Sequence, residues 1–242
     1  WWRTAHVFPN GDLVAQVESG AVLRVDARSR LLWEFAANSH HDLDVADDGR
    51  VVVLVQEPAR VVPAFQPRAP VREDAVAWLA GATGREIDRI PLLQTLVASR
   101  RTGLLDALRA YRASQRGPRR LDVMHTNSVE IVRAAPRDGH PAFQPGRLLL
   151  STPTIDALFL LDPAARRVVW QLRGEFRYQH DPRLLPNGNL LVFDNQGAGE
   201  TSAVLEVDAK TGRTVAAYRG APGAPFCSRC CGRVQRLANG NP

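Results

Sequence analysis

The feature that most constrains the fold of this chain is a repeated turn-and-strand unit. Each unit opens with a glycine turn, continues into an apolar strand and adds further strands after short links. The turn glycines are Gly11, Gly49, Gly146, Gly188 and Gly240, which leaves gaps of 38, 97, 42 and 52 residues. Gaps of about 40 residues are typical of four-stranded propeller blades, which bury their apolar positions only against neighbouring blades. The repeat therefore predicts an all-β propeller.

The long gap between Gly49 and Gly146 corresponds to two blades or to one blade with an insertion. Residues 91–114 carry leucines at helical spacing, interrupted near Gly103, and residues 109–120 are rich in arginine. We therefore predict a short helical insertion near 91–114, followed by a basic linker that ends at residue 120. The whole chain, 1–242, is expected to form one β-propeller domain with about five blades of an expected six, the last stopping incomplete at Pro242.

Charge and apolar content narrow the class of partner. The net charge is +6 and is carried almost wholly by arginine, because Lys210 is the only lysine. The arginines are scattered and do not alternate with aromatic residues, so a small anionic ligand is favoured and no nucleic acid is expected. No apolar run approaches the roughly 18 residues of a membrane span. Oligomeric state is left open by the sequence.

Three cysteines lie close together at Cys227, Cys230 and Cys231. The first two have the Cys-x-x-Cys spacing of half a zinc site, but no second pair or histidine lies near them in sequence. A disulfide and plain loop thiols are the favoured alternatives.

Three histidine motifs recur near the start of strands or turns, at residues 40–42, 122–128 and 179–181. They read His-His-Asp, Asp-Val-Met-His-Thr-Asn-Ser and Gln-His-Asp. Equivalent positions on successive blades face a common axis, so the three histidines are predicted to share a pocket. Two alternatives stay open, namely histidines that only hydrogen-bond neighbouring loops and a three-histidine zinc site. His6 and His140 lack this context and are interpreted as surface or turn residues.

These motifs, followed by the Leu-x-Asn-Gly-Asn-x-Leu-x-Phe-Asp-Asn pattern ending at Asn195, resemble the arylsulfotransferase family of bacterial propeller proteins. The resemblance implies transfer of a sulfuryl group from an aryl sulfate to a phenol, with no nucleotide sulfate donor, no metal and no other cofactor. It also implies that His180 is the nucleophile, that His125 and Asn127 hold sulfuryl oxygens, and that His41 is a further pocket histidine.

One departure from the family pattern affects the expected chemistry. Relatives usually follow the strand after Leu150 with Ser-x-Arg, whereas this chain has Ser151, Thr152 and Pro153. A guanidinium can pair with a sulfuryl group through two hydrogen bonds and proline cannot. Either another arginine such as Arg177 binds the sulfate, or this divergent or truncated member is a weakened propeller that acts as a binding or scaffold module. The resemblance further implies a periplasmic or secreted protein, in which a disulfide among the three cysteines is expected.

Overall fold

The structure, a computed structural model, describes residues 2–198, 201–221 and 223–241. It divides into two compact units, Trp1–Val129 and Glu130–Pro242. The predicted chain end at Pro242 lies outside the described residues. Because strands dominate both units, the all-β prediction is confirmed, while the extent of the single domain stays a prediction.

The first unit is built on a seven-stranded antiparallel sheet, ordered β1-β2-β3-β4-β5-β8-β9, with a separate β6-β7 hairpin. Its strands are β1 (Trp2–Val7), β2 (Leu13–Val17), β3 (Gly20–Val25), β4 (Leu31–Val45), β5 (Val51–Gln56), β6 (Arg60–Val62), β7 (Gln66–Val71), β8 (Asp74–Leu79) and β9 (Glu86–Pro91). The hairpin was not predicted, because four prolines between residues 58 and 70 obscure strand alternation there.

The long strand β4 serves two four-stranded groups. Its first half pairs with β3 as far as Ser39, and it pairs with β5 at Ser39 and again from Leu43 onward. The register shifts between Ser39 and Leu43, so residues 40–42 form a bulge. Bulges bend a strand and redirect side chains, which places the first histidine motif at the joint between the two groups.

The core of the first unit comes from the apolar runs of β5 and β8. Side chains 51–55 and 74–79 are buried along both faces of these central strands. Trp33 packs into the same core and satisfies its indole N–H by donating to the carbonyl of Gly81 at 2.8 Å. Burial of large aliphatic and aromatic side chains on this scale is the main stabilising term of such a sheet.

Two helices follow β9, which confirms the helical insertion. They are α1 (Leu92–Ala98) and α2 (Thr102–Ser114), followed by a 3₁₀ turn at Gly117–Arg120. The leucines at helical spacing are the buried ones, namely Leu92, Leu93, Leu96, Leu104, Leu105 and Leu108. The gap of 97 residues therefore contains one strand group with an insertion, and the first part of the predicted basic linker belongs to α2.

The second unit contains two four-stranded antiparallel sheets, ordered β10-β11-β12-β13 and β14-β15-β16-β17. Their strands are β10 (Ser128–Ile131), which begins just before the unit boundary, β11 (Leu148–Thr152), β12 (Ala157–Asp162), β13 (Arg167–Arg173), β14 (His180–Leu184), β15 (Asn189–Ala198), β16 (Thr201–Asp208) and β17 (Thr214–Tyr218). One apolar cluster containing Leu160, Trp170, Leu190 and Leu205 joins the two sheets.

The predicted turns are formed. Each of the five turn glycines has a positive φ, between 82° and 87°. In the turn around Gly240, Leu237 donates its N–H to the carbonyl of Asn241 at 2.8 Å, as Leu185 does to Asn189. The described residues thus hold four groups of four strands and the opening turn of a fifth.

Candidate functional site

Each histidine motif lies where the backbone takes a left-handed conformation. His41 has φ of 62°, His125 has φ of 51°, and Asp181, next to His180, has φ of 48°. The β14–β15 register also shifts between His180 and Arg183, as it does in β4 around His41. Non-glycine residues at positive φ cost free energy and cluster at functional sites, so the geometry that the three motifs share supports a functional role for them.

A row of four side chains in the first unit joins two of the predicted histidines. Nε2 of His41 lies 3.0 Å from Nε2 of His125, whose Nδ1 lies 2.6 Å from a carboxylate oxygen of Asp122. At the other end, an Nη of Arg3 lies 2.7 Å from Nδ1 of His41. We call Arg3, His41, His125 and Asp122 the histidine row.

The ends of the histidine row fix where its protons lie. A guanidinium only donates hydrogen bonds, so Nδ1 of His41 accepts from Arg3, and the proton of a neutral His41 is on Nε2. That proton is donated to Nε2 of His125, which leaves the His125 proton on Nδ1, facing Asp122. Both rings are neutral in this arrangement, and every hydrogen bond points from the arginine toward the carboxylate.

The carboxylate end of the row favours a charged His125. Burial acts to lower the pKa of His125, but the hydrogen bond to Asp122 and the charges of Asp122 and Asp74 outweigh it, so this pKa is raised above its ordinary value. Burial likewise acts to raise the pKa of Asp122, and the contact with His125 lowers it overall. The two groups stabilise each other's charged form.

His40, next to the row, has the opposite tendency. It is buried, and burial lowers its pKa despite the opposing charge of Asp74. Its Nε2 lies 3.7 Å from a carboxylate oxygen of Asp74 and has no hydrogen-bond partner among the described residues. The other Asp74 oxygen accepts the N–H of Thr126 at 2.6 Å, which fixes the segment that leads to Asn127.

A cavity of about 580 Å³ opens beside the histidine row. Its lining includes His40, His41, Asp122, His125 and Arg72. Ligand sites commonly enclose 300 to 1,000 Å³, by rough survey values, so a small aromatic ligand fits this volume. Asn127 is buried and is not among the residues that line this cavity in the described structure.

The third histidine, His180, lies in the second unit at the start of β14. Its Nδ1 contacts two acceptors, Oδ1 of Asn195 at 2.8 Å and the carbonyl of Tyr178 at 3.1 Å, so Nδ1 carries the proton. Its Nε2 accepts the backbone N–H of Cys231 at 3.3 Å. The lone pair of a neutral His180 is therefore on Nε2.

Asn195 is held in one orientation by the segment that carries the cysteines. Its Nδ2 donates to the carbonyls of Ser228 at 2.8 Å and Cys231 at 2.7 Å, which leaves Oδ1 toward His180. Ser202 anchors the same segment, because its Oγ accepts the N–H of Ser228 at 2.8 Å. We call residues 226–232 the cysteine loop; its three cysteines, Cys227, Cys230 and Cys231, are not joined by a disulfide in the described structure.

The aspartates of two motifs have a structural role. Asp42 accepts the N–H of Val129 at 3.1 Å, and Asp181 accepts the N–H of Val234 at 2.8 Å. The alternative of loop-binding residues therefore describes these aspartates and in part His180, which contacts the backbone of Tyr178 and Cys231 as well as the Asn195 side chain. Of the remaining histidines, His140 accepts a turn N–H, that of Ala142, at 3.1 Å.

Pro153, at the position of the family's arginine, and Arg177, the predicted replacement ligand, differ in exposure. Pro153 is buried and begins a 3₁₀ turn, Pro153–Ile155, directly after β11. Arg177 is exposed, and its backbone N–H donates to a carboxylate oxygen of Asp194 at 2.8 Å. Burial raises the pKa of that carboxyl. The predicted role of Arg177 in binding sulfate stays a prediction.

The structure leaves the shared pocket of all three histidines as a prediction, since His41 and His125 belong to the first unit and His180 to the second. Sequence reasoning missed Arg3, which no motif marks, and it gave no role to Asp122 or Asn195 although both lie inside quoted motifs. Within the described residues, no group of three or more His, Cys, Asp or Glu side chains is arranged so that it could hold a metal ion, and no helix is long and apolar enough to cross a membrane.

Three solved structures resemble this fold. A protein of unknown function from Bacteroides caccae matches with a TM-score of 0.55 at 9% identity, over 90% of this chain and 60% of its own. A functionally unknown protein from Desulfotomaculum acetoxidans has a TM-score of 0.52 at 10% identity, over 99% and 60%. The Dos1 propeller has a TM-score of 0.51 at 12% identity, over 90% and 46%. The fold is therefore propeller-like, and the chain spans 60% or less of these structures.

The sequence comparisons identify a family. The family model described as arylsulfotransferase (ASST) matches residues 5–242, which is nearly the whole chain. No curated protein shows significant similarity to the chain.

Proposed function

The chain belongs to the arylsulfotransferase family, and we propose that it transfers a sulfuryl group from an aryl sulfate to a phenol through a sulfohistidine on His180. The observation that carries the proposal is the locked imidazole of His180. Its Nδ1–H is bound to Asn195 at 2.8 Å, so Nε2 holds the lone pair that can attack sulfur.

The proposed reaction consists of two successive displacements at sulfur. In the first step Nε2 of His180 bonds to sulfur while the bond from sulfur to the aryl oxygen breaks, and the aryl oxide leaves as a phenol after gaining a proton. In the second step the acceptor phenol loses its proton, its oxygen bonds to sulfur, and Nε2 departs. Splitting one difficult transfer into two displacements is the advantage of covalent catalysis.

The remaining site residues take the roles that the family resemblance implies. We propose that Asn127 and the charged form of His125, in which Nε2 also carries a proton, donate hydrogen bonds to sulfuryl oxygens, with His41 and Arg177 as further ligands of the sulfate. Fixed donors of this kind stabilise charge that develops in the transition state, and losing one typically costs about a hundredfold or more in rate. No metal or other cofactor is required by this scheme, and the expected compartment is the periplasm or the exterior.

The deciding experiment is the intact mass of the protein after brief exposure to an aryl sulfate without acceptor, under conditions that avoid acid. We expect a gain of one SO₃ in the native chain and none in His180→Ala. His6→Ala is the matched control, because His6 lies on β1 and belongs neither to the histidine row nor to the contacts of His180. A folded native chain that gains no SO₃, or a His180→Ala variant that gains it, would remove His180 from the proposed role.

The alternative function is that of a weakened propeller that binds ligands without turnover, and Pro153 favours it. Pro153 is buried where the family resemblance implies an arginine, so the site lacks a bidentate ligand for sulfate at this position. Pro153→Arg separates the two functions. Higher transfer activity in this variant, at unchanged folding, identifies a weakened enzyme, whereas unchanged aryl sulfate binding with no turnover favours the binding module.

A further inference from the structure

We propose that Cys230 and Cys231 form an oxidisable dithiol site, and that closing their disulfide uncovers Nε2 of His180. The thiol chemistry and the movement at His180 are independent of the reaction that His180 performs. Only the catalytic consequence of the disulfide rests on the proposed sulfotransferase function.

The two thiols already lie side by side. Sγ of Cys231 is 3.6 Å from Sγ of Cys230, with Cys230 exposed and Cys231 half-buried. Because the residues are adjacent in sequence, no loop has to close to bring them together. A small disulfide compound can therefore reach one thiol, and the second thiol is within reach of the mixed disulfide that results.

The peptide bond between these cysteines is the one that contacts His180. Its N–H, that of Cys231, donates to Nε2 at 3.3 Å. A disulfide requires the sulfurs to approach to about 2.05 Å, and adjacent Cα atoms at about 3.8 Å are closer than the usual 4.4 to 6.8 Å of bridged cysteines. A disulfide between adjacent cysteines closes an eight-membered ring that contains the peptide bond between them. This ring must therefore twist the peptide, which turns its N–H away from Nε2.

The support of the imidazole lies outside that ring. Asn195, which binds Nδ1 of His180, donates to the carbonyl of Ser228 at 2.8 Å as well as to that of Cys231. Ser228 is in turn anchored by Ser202 at 2.8 Å. Oxidation is thus expected to free the Nε2 lone pair while Asn195 keeps the proton on Nδ1.

The oxidation is a thiol–disulfide exchange with a low-molecular-weight disulfide such as oxidised glutathione. One cysteine thiolate bonds to a glutathione sulfur and expels glutathione thiolate. The second cysteine thiolate then bonds to the first cysteine sulfur and expels the other glutathione thiolate, so the protein loses two protons and two electrons and the oxidant becomes two thiols. A ring strained in this way is readily reduced, which makes the step reversible.

The first test identifies the pair by thiol counting. After treatment of the full chain with oxidised glutathione and alkylation, we expect a protein lighter by two hydrogens before labelling and a single label, on Cys227. Cys227→Ser should still form the disulfide, and Cys230→Ser should not. A label on Cys230 or Cys231 after oxidation, or three labels under conditions that oxidise other dithiols, overturns the proposal.

The second test reads His180 directly by ¹⁵N NMR of its ring nitrogens, assigned with His180→Gln. Oxidation is expected to shift the Nε2 signal in the native chain and in Cys227→Ser but not in Cys230→Ser; an unshifted signal in the oxidised native chain overturns the proposal. Sulfohistidine should form several-fold faster in the oxidised chain than in the reduced chain. A slower rate in the oxidised chain contradicts the proposal that the disulfide uncovers Nε2 of His180. If neither redox state forms sulfohistidine, the proposed function fails, and the NMR result alone decides this inference.

Discussion

In the histidine row, the protonation of His41 is coupled to that of His125. In each hydrogen bond of the row one partner must donate and the other must accept, so a proton added to one ring changes where the other ring carries its proton. When His125 gains a proton, its Nε2 becomes a donor and Nε2 of His41 must accept. The remaining His41 proton then moves to Nδ1, where it faces Arg3, another donor. Protonating His125 therefore breaks the Arg3–His41 bond, and Arg3 retains Glu18, whose carboxylate lies 3.5 Å from its Nε.

The charge of Asp122 is expected to control the pKa of His125. In Asp122→Asn the amide can still accept from Nδ1, but the negative charge is gone, so the pKa of His125 should fall while that of His40 stays below its ordinary value. Titration of the histidine C2 protons by NMR measures both. The exposed Asp138→Asn is the control, and an unchanged His125 midpoint in Asp122→Asn would contradict the assignment.

The same contact gives a pH dependence of stability. Because the folded pKa of His125 is raised, its contribution to the free energy of unfolding is complete below about pH 6.5 and is lost as pH rises through the folded pKa. His40, with a lowered pKa, has the opposite sign: its burial as a neutral ring disfavours folding as pH falls below about 6.5. Urea unfolding of Asp122→Asn across this range should lose the His125 component and keep a larger His40 component, because the charge of Asp122 also acts to raise the pKa of His40.

Arg3 is expected to set the tautomer of His41. Arg3→Met removes the donor that holds Nδ1 as an acceptor while keeping an unbranched side chain, so His41 becomes free to carry its proton on Nδ1. Ring ¹⁵N shifts of His41 should move toward that tautomer, whereas Arg3→Lys, which keeps a donor, should preserve the original one. Identical shifts in the native chain and Arg3→Met would show that Arg3 does not direct the row.

At the scale of elements, the bulges and the cysteine loop convert ordinary strands into a site. The β4 bulge lets a strand that pairs with β3 and then β5 place His41 against His125. In the second unit, β15 contributes Asn195 while the cysteine loop passes over His180. The position of that loop depends on a glycine, because the backbone of Gly232 packs against the ring of Phe193.

Gly232→Ala is expected to displace the cysteine loop. Gly232 has φ of +142°, and a Cβ there would lie 2.7 Å from Cδ1 of Phe193. The backbone strain alone costs of the order of 1–3 kcal/mol. Gly223→Ala is the matched control, since Gly223 also has a positive φ but nothing within 4 Å of a Cβ. Urea unfolding should show the larger loss for Gly232→Ala, and only that variant should shift the His180 ring signals; equal effects would exclude steric displacement.

At the scale of the whole molecule, the sequence predicted the features that depend on local patterns. Glycine turns and buried apolar strands follow from backbone preferences, so the repeat, the all-β propeller-like fold and the helical insertion were predicted correctly. The β6–β7 hairpin was missed because its prolines hide strand alternation. Partners such as Arg3 and His41, 38 residues apart, were missed because side-chain contacts between distant segments depend on register.

The charge of the whole molecule determines which class of anion it is expected to bind. The net charge is +6, yet arginines are repeatedly paired with carboxylates, as in Arg24–Asp12 at 2.7 Å and Arg147–Asp162 at 3.0 Å. Arginines that are already paired with carboxylates release fewer counterions from DNA, so duplex DNA should not be retained at about 0.15 M salt. Aryl sulfate binding should weaken by less than about tenfold between about 0.01 and 0.15 M salt, because one anion in a cavity is held mainly by close contacts that salt screens weakly. Calorimetric titration at both salt concentrations, with a neutral phenol as control, measures this. DNA binding at the higher salt, or a salt dependence as steep as that of a multi-phosphate ligand, would show that the scattered arginines act together as an extended anion-binding surface.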